Sequence, residues 1–306
     1  VCADAFVNSA ITGVNGGLVV LAADDPSMHS SQNEQDSRFY AKFALIPVFE
    51  PSNQQEAYDM TSAAFELSET LKVPVMLRIV TRLAHSRAAV QTGTLSDQNP
   101  LNICQERWVL LPGIARKRYI DLIGKQPAML KAAENSPFNK TENNGGKLGI
   151  IACGIAYNYV KETLGNSGNI LKISQYPLPV EAIKNLASQC DSLLVAEDGQ
   201  PVVEEEVRKM LGVDYKIIGR LTGHLPRTGE LTPDNVASAL GATPKPKFDM
   251  AKNLAPRPPQ LCQGCGHRDV YGALVNIIEE YPDARVFGDI GCYTLGALPP
   301  FKALAS

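Results

Sequence analysis

Apolar runs of strand length alternate with stretches of helical period along most of this chain. Residues 18–23 (LVVLAA) form a continuous apolar run, as expected of a strand covered on both faces, and the run ends in Asp24 and Asp25. Polar groups are thereby set at a strand's carboxyl end. After a polar loop comes a second apolar run, residues 44–49, and then Ser52 with Gln55 at capping-box spacing. Met60, Ala63, Ala64, Leu67 and Leu71 recur at helical intervals before residues 73–80 (VPVMLRIV) return to strand. The order strand, strand, helix, strand predicts a parallel α/β sheet.

From residue 86 to 144 no regular alternation persists; the basic triplet Arg116, Lys117, Arg118 reads as the solvated surface of a connector. Residues 135–147 (NSPFNKTENNGGK) have turn and linker composition, which sets a boundary there. A second alternating unit follows: strands over 148–153, 170–174, 193–197 and 215–218, with helices over 156–164, 180–188 and 202–211 between them. It holds neither a dinucleotide G-x-G-x-x-G nor a P-loop. The turn Gly154-x-Ala156-Tyr157 either admits an anion to a helix N-terminus or only reverses the chain. Residues 241–259 hold five prolines and read as a stiff linker. The predicted fold class is α/β, with successive doubly wound parallel-sheet domains. Residues 1–90 belong to the first, 91–145 to a connector, 146–240 to the second, 241–259 to the linker and 260–306 to the start of a third.

Composition narrows the class. With 306 residues and 44% hydrophobic content the chain can bury a sizeable core. Its net charge of −3 gives no electrostatic case for nucleic acid or an anionic membrane. No apolar run approaches the roughly 18 residues of a membrane span. The first residue is Val1, not Met, so the chain is read as an internal piece truncated at both ends, and the lack of a leader carries little weight. Seven cysteines, an odd number in a chain of this size, point to a reducing compartment and a cytoplasmic location.

Three of those cysteines carry candidate chemistry. Cys262 and Cys265 lie just before a predicted helix bearing Val270, Ala273, Leu274, Ile277 and Ile278, where backbone N–H groups favour thiolate. Cys292 follows 31 positions or fewer later in a Gly-Asp-Ile-Gly-Cys turn. A thioredoxin-like dithiol, a structural zinc, an iron–sulfur cluster with a fourth ligand elsewhere, and no metal at all remain open on spacing alone. Asp289, after the short apolar pair Val286 and Phe287, is placed as at a strand's carboxyl end, to bind a metal or cofactor or to stabilise its own turn.

Four stretches carry a family resemblance: ADDPSMHSSQNEQDSRFYAKFALIPVFEPSNQQEAYD (23–59), PVMLRIVTRLAHSR (74–87), CQGCGHR (262–268) and GDIGCYTLGALPPF (288–301). In these the chain resembles the alpha subunit of indolepyruvate ferredoxin oxidoreductase, within the thiamine-diphosphate-dependent 2-oxoacid:ferredoxin oxidoreductases. The resemblance implies thiamine-diphosphate-binding and transketolase C-terminal-like folds. It also implies the cofactors thiamine diphosphate, Mg²⁺ and [4Fe-4S] clusters, the last mostly in a tail after residue 306. The implied reaction is oxidative decarboxylation of an arylpyruvate to its aryl-acetyl-CoA with reduction of ferredoxin, in partnership with a beta subunit and using coenzyme A. The chain alone is expected to be inactive, because the activating glutamate should precede residue 1 and the Mg²⁺ turn should follow residue 306.

Carried onto this sequence, the resemblance makes Gly264, Gly266, His267, Arg268, Asp289 and Gly291 cofactor-binding, with Arg38 and His267 as catalytic candidates. Arg38 is the candidate for the oxoacid carboxylate, a surface salt bridge being the alternative. Related oxidoreductases imply Cys262, Cys265 and Cys292 as iron–sulfur ligands. Two further readings stay open: a 2-oxoacid oxidoreductase with a non-aryl substrate, and a non-catalytic metal-binding interaction module.

Overall fold

The computed structural model of the chain describes residues 2–94, 108–244, 246, 258–281 and 283–305. Val1–Lys245 form one compact unit and Pro246–Ser306 another.

The first unit opens with helix α1 (Ala3–Thr12), strand β1 (Val19–Asp24), α2 (Arg38–Ala44), β2 (Val48–Phe49), α3 (Gln54–Leu71), β3 (Val75–Val80) and the short α4 (Thr81–Ala84). After α5 (Pro112–Glu134) come β4 (Lys140–Asn144), β5 (Leu148–Cys153), α6 (Ala156–Leu164), β6 (Gly168–Ile173), β7 (Gln175–Tyr176) and α7 (Val180–Ser188). The unit closes with β8 (Ser192–Ala196), α8 (Val202–Leu211), β9 (Lys216–Ile218) and α9 (Pro233–Ala239).

Two sheets result. In the first, of order β1-β3-β2-β7, β1 and β2 run parallel to the central β3, and β7 is antiparallel to β2. In the second, of order β4-β6-β5-β8-β9, the four strands from β6 to β9 are parallel and β4 is an antiparallel edge. The apolar runs read from the sequence become the covered strands: β5 (LGIIAC) and β8 (SLLVA) are buried over almost their whole length. Only Ser174 separates β6 from β7, so one extended segment serves both sheets. The main core accordingly joins Ala41, Ile46 and Met76 of the first sheet and its helices to Ile151, Leu171 and Val195 of the second.

Several local expectations shift. Residues 38–44, most of which read as polar loop, are helical, and the 44–49 run is strand only at Val48–Phe49; the helix ends where Leu45 turns left-handed at φ 59°. Its apolar residues lie on both sides, Ala41 and Ala44 buried but Phe39, Tyr40 and Phe43 exposed, which hid the period. The N-cap of α3 is Asn53, whose Oδ1 accepts the Glu56 N–H at 2.9 Å, while Glu56 reaches back to Ser52 N at 2.9 Å. The 23-residue α5 has no clear apolar stripe and carries Pro127 inside it, so residues 112–134 did not read as helix.

The 135–147 stretch is also structured. Its KTENN run pairs as β4 on β6, and a polar sequence is what an exposed edge strand tolerates. Asn139 anchors it: Nδ2 donates to the Ala133 and Gln175 carbonyls at 2.9 and 3.0 Å, and Oδ1 accepts the Ser174 and Gln175 N–H groups at 2.7 and 2.9 Å.

The second unit contains α10 (Gly266–Glu280) and a 3-10 helix (Cys292–Ala297) around a small core of Leu261, Tyr271 and Ala303. Val286 and Phe287 form no strand, and Phe287 is exposed. Tyr271 lies so close to Gly296 that a Cβ there would sit 2.5 Å from the ring, and Tyr271 OH donates to the Tyr293 carbonyl at 2.7 Å. On α10 Tyr271 is buried, with Leu274 and Ile278 half-buried beside it, whereas Val270 and Ile277 are exposed. Among the described residues no helix is long and apolar enough to cross a membrane.

Asn139→Ala strips partners from two buried N–H groups at once, and is expected to cost roughly 2–4 kcal/mol, read as a lowered urea midpoint. A loss under about 0.5 kcal/mol would return this stretch to the role of a linker.

Candidate functional site

In open parallel sheets, ligands usually gather at the carboxyl ends of the strands. Here those ends carry charges in both sheets: Asp24 ends β1, Glu50 follows β2, Arg78 lies in β3, Glu197 and Asp198 follow β8, and Arg220 follows β9. The six are buried, together with Asp36 and Arg38 at the start of α2. They form one cluster. Arg78 is fully enclosed; its Nε donates to Asp24 Oδ2 at 2.6 Å, its Nη1 to Glu50 Oε1, and its Nη2 to the Asp198 carbonyl at 3.0 Å.

Arg38 faces Asp36 with two bonds, Nε to Oδ1 at 2.8 Å and Nη2 to Oδ2 at 2.5 Å, and Nη2 also reaches the Gln200 carbonyl at 3.0 Å. Its Nη1 lies 2.8 Å from Glu197 Oε2 without hydrogen-bond geometry. Arg38 is therefore neither on an open loop to meet an oxoacid carboxylate nor in a surface salt bridge; it is 2% exposed and its fork is taken by Asp36. Arg220 completes the group, with Nε to the Glu197 carbonyl at 3.1 Å and Nη2 3.4 Å from Asp198 Oδ1.

Glycines allow this density. Gly154, at φ 49°, lies where any Cβ would be 2.6 Å from Glu50 Cγ, and Gly199, at φ 102°, where one would be 2.7 Å from Asp36 Oδ2. The space beside Gly154 is thus filled by the protein's own Glu50, whose carboxylate accepts from Arg78 and Tyr176. Glu197 likewise caps α8, accepting the Val203 and Glu204 N–H groups at 3.0 and 2.9 Å.

Five carboxylates meet three guanidiniums, so ionisation is uneven. Burial opposes the charge on Asp36, but Arg38 and Arg78 outweigh it and hold its pKa well below the ordinary carboxylate range. For Glu197 burial wins over Arg38 and the two N–H groups, and its pKa is raised; Asp198 is raised by burial too. Burial, with Glu197 and Glu50 nearby, also pushes the Cys153 thiol up.

The second unit holds the remaining candidates. Cys265 is the N-cap of α10 and makes no side-chain cap bond; its Sγ lies 3.2 Å from His267 Nδ1. Gly264 takes φ 72°, and a Cβ at Gly264 or Gly266 would meet nothing within 4 Å. The start of a 15-residue helix is thereby open to solvent. Arg268 Nη1 donates to the Leu261 carbonyl at 3.3 Å, and the His267 ring packs edge-on to Tyr293 with centroids 4.5 Å apart. Asp289 is exposed and accepts only the Ile290 N–H, at 2.7 Å, in a turn outside any strand. Gly291, at φ 110°, leads into exposed Cys292. Among the described residues no three His, Cys, Asp or Glu side chains converge on a metal position. Cys262, Cys265 and Cys292 therefore do not form a ligand set in this structure, and Cys104 lies outside the described residues.

Sequence reasoning missed the ion cluster, although a signal existed: five of the seven predicted strands are followed within two residues by a charge, and Arg78 is a lone charge inside an apolar run.

Comparison with known proteins supplies what the geometry lacks. The chain is 39% identical over 324 aligned residues to the indolepyruvate oxidoreductase subunit IorA of Archaeoglobus fulgidus, with 99% of this chain and 52% of that protein matched. It is 39% identical over 323 residues to the IorA of Methanothermobacter thermautotrophicus and 38% over 338 to that of Pyrococcus abyssi, again covering 99% of this chain and 52% and 51% of the relative. The chain thus spans about half the length of these curated relatives. No protein-family model matches it. Among solved structures, a 2-oxoglutarate:ferredoxin oxidoreductase from Magnetococcus marinus, with 2-oxoglutarate, coenzyme A and succinyl-CoA bound, superposes with TM-score 0.53 over 71% of this chain and 47% of that one. At 14% identity this likeness shows the shared α/β fold.

The cluster makes a signed pH prediction. Because the folded pKa of Asp36 is depressed, its contribution is present above its unfolded value near 3.8 and is lost as pH falls below it. The raised Glu197 acts oppositely, contributing below its unfolded value near 4.5 and losing that contribution as pH rises through its folded pKa. Asp36→Asn should lower stability at pH 7 and remove about one proton, roughly 1.4 kcal/mol per pH unit, from the slope of the urea stability curve below pH 4. An unchanged acid slope would show that Asp36 is not held ionised by the two arginines.

Proposed function

The chain is homologous along 99% of its length to indolepyruvate oxidoreductase IorA subunits, and on that premise we propose that it carries part of the machinery for oxidative decarboxylation of aryl-2-oxoacids. The proposed reaction takes an arylpyruvate, coenzyme A and two oxidised ferredoxins to aryl-acetyl-CoA, CO₂ and two reduced ferredoxins, in a complex with a beta subunit. The observation that carries this reading is the 39% identity over nearly the whole chain. The open start of α10 supports it, because a helix N-terminus without a side-chain cap suits a diphosphate.

Thiamine diphosphate, when bound, supplies the electron sink that loss of CO₂ from a 2-oxoacid requires. This chain's part is to bind and orient. Gly264 supplies the left-handed turn before the helix, and the N–H groups of Gly266 and His267 are offered to the diphosphate. Arg268, tied to the Leu261 carbonyl, adds a cation beside them. His267 is fixed between the Cys265 thiol and the Tyr293 ring, which sets its imidazole plane. Asp289 and Gly291 are proposed to flank the same cofactor. The described residues do not fit Mg²⁺ or a [4Fe-4S] cluster, since no three ligating side chains converge. Arg38 acts through the buried cluster as a positioning residue.

The test uses the full-length subunit assembled with its beta partner, following indolepyruvate-driven ferredoxin reduction against thiamine diphosphate concentration. Arg268→Ala should raise the half-saturating concentration roughly tenfold or more, and Gly264→Val, which cannot hold the left-handed turn, at least as much. Unchanged saturation in both variants would reject the α10 assignment; a wild-type complex turning over pyruvate but not indolepyruvate would reject the aryl substrate.

A further inference from the structure

A cavity of about 540 Å³ lies within the first unit, among α2, α5, α8 and the segment after β7. None of the α10 residues assigned above lines it. Leu45, Met129, Leu130, Val203 and Met210 give it an apolar wall. It opens to solvent beside Lys42, whose side chain is half exposed, and its apolar lining is a poor host for water, which needs two to four polar partners. The volume falls within the roughly 300–1,000 Å³ of small-molecule sites, and the two methionines can re-pack around a ring.

The charges on its wall select the ligand. Lys42 and Glu206 already pair with one another at the wall, and Lys209 also donates to Glu206 at 2.8 Å. Arg38 borders the cavity with its charge met by Asp36 and Glu197. No charge is left to compensate an ionic guest, and an uncompensated charge here would be costly. The buried Arg38 Nη1 is itself paired, lying 2.8 Å from Glu197 Oε2. Tyr176, also on the wall, has its OH committed to Glu50 Oε2 at 2.6 Å.

We propose that this cavity is a binding site for an uncharged aromatic molecule. Because Arg38 and Tyr176 belong to both the cavity wall and the ion cluster, a guest that fills the cavity stabilises the junction between the two sheets.

The experiment uses the whole chain with indole-3-carboxaldehyde as the neutral probe and indole-3-acetate as its anionic counterpart, followed by calorimetry, thermal melting and methionine-methyl NMR. The neutral probe should saturate one site, raise Tm by about 2 °C or more, and shift the methyls of Met129 and Met210. Leu130→Trp and Met210→Trp, filling the space from α5 and α8, should each weaken it about tenfold or more. Indole-3-acetate should bind about tenfold more weakly. The proposal is overturned by an absence of saturable binding up to about 1 mM, by methyls that do not respond in the wild-type chain, by undiminished binding in both tryptophan variants, or by an anion that binds as tightly. The methyl readout needs no substitution, so a variant that fails to fold leaves the test standing. None of these outcomes depends on turnover, so failure here and failure of the proposed reaction are distinguishable.

Discussion

Arg78 has no exposed surface, and its guanidinium must therefore find every partner within the protein. An arginine cannot shed its proton as a buried lysine can, so its enclosure commits the surroundings to supplying negative charge and carbonyl oxygens in the right places. Asp24 from β1, Glu50 from the end of β2 and the Asp198 carbonyl from the second sheet meet that demand. Removing one partner from a buried pair typically costs about 3–5 kcal/mol, because the remaining charge is stranded. The consequence is architectural: two mostly parallel sheets are held with their strand ends against a common set of ions. The apolar core agrees with this, running from Met76 to Val195 without a break between the sheets.

The same constraint decides where ligand chemistry can occur. The usual sites for an anion in an α/β sheet are the helix N-termini beyond the strand ends. In this unit Glu50 fills the approach at Gly154, Glu197 caps α8, and Asp36 accepts the Gln200 N–H at 2.9 Å. The protein's own carboxylates occupy those places. The start of α10, in the other unit, has no side-chain cap bond, and Gly264 and Gly266 leave the space beside it clear.

Legibility in the sequence followed the physics of burial. β5, α6, α7 and α8 could be bounded from the pattern alone because each has an apolar face of one period and a turn residue or proline at its edge. α5 and β4 could not, since one is a long helix lacking a single apolar stripe and the other is a polar edge strand whose pairing with β6 is a tertiary fact. The family was legible in long stretches such as residues 23–59, and the relatives bear that resemblance out. Individual roles were harder. Arg38 stands in a polar run, and nothing local shows that the chain folds Asp36, Glu197 and two backbone carbonyls around it. Side-chain convergence over 160 positions is invisible to periodicity.

Native-state hydrogen exchange of the wild-type chain and of Arg78→Met tests most directly whether the ion cluster joins the two sheets. If it does, amides of β3 and of β8 exchange through one shared opening in the wild type, and Arg78→Met lowers the free energy of that opening by the same amount in both strands. Contradiction would come from β8 keeping its wild-type protection while β3 loses its own, since the sheets would then be opening as separate units.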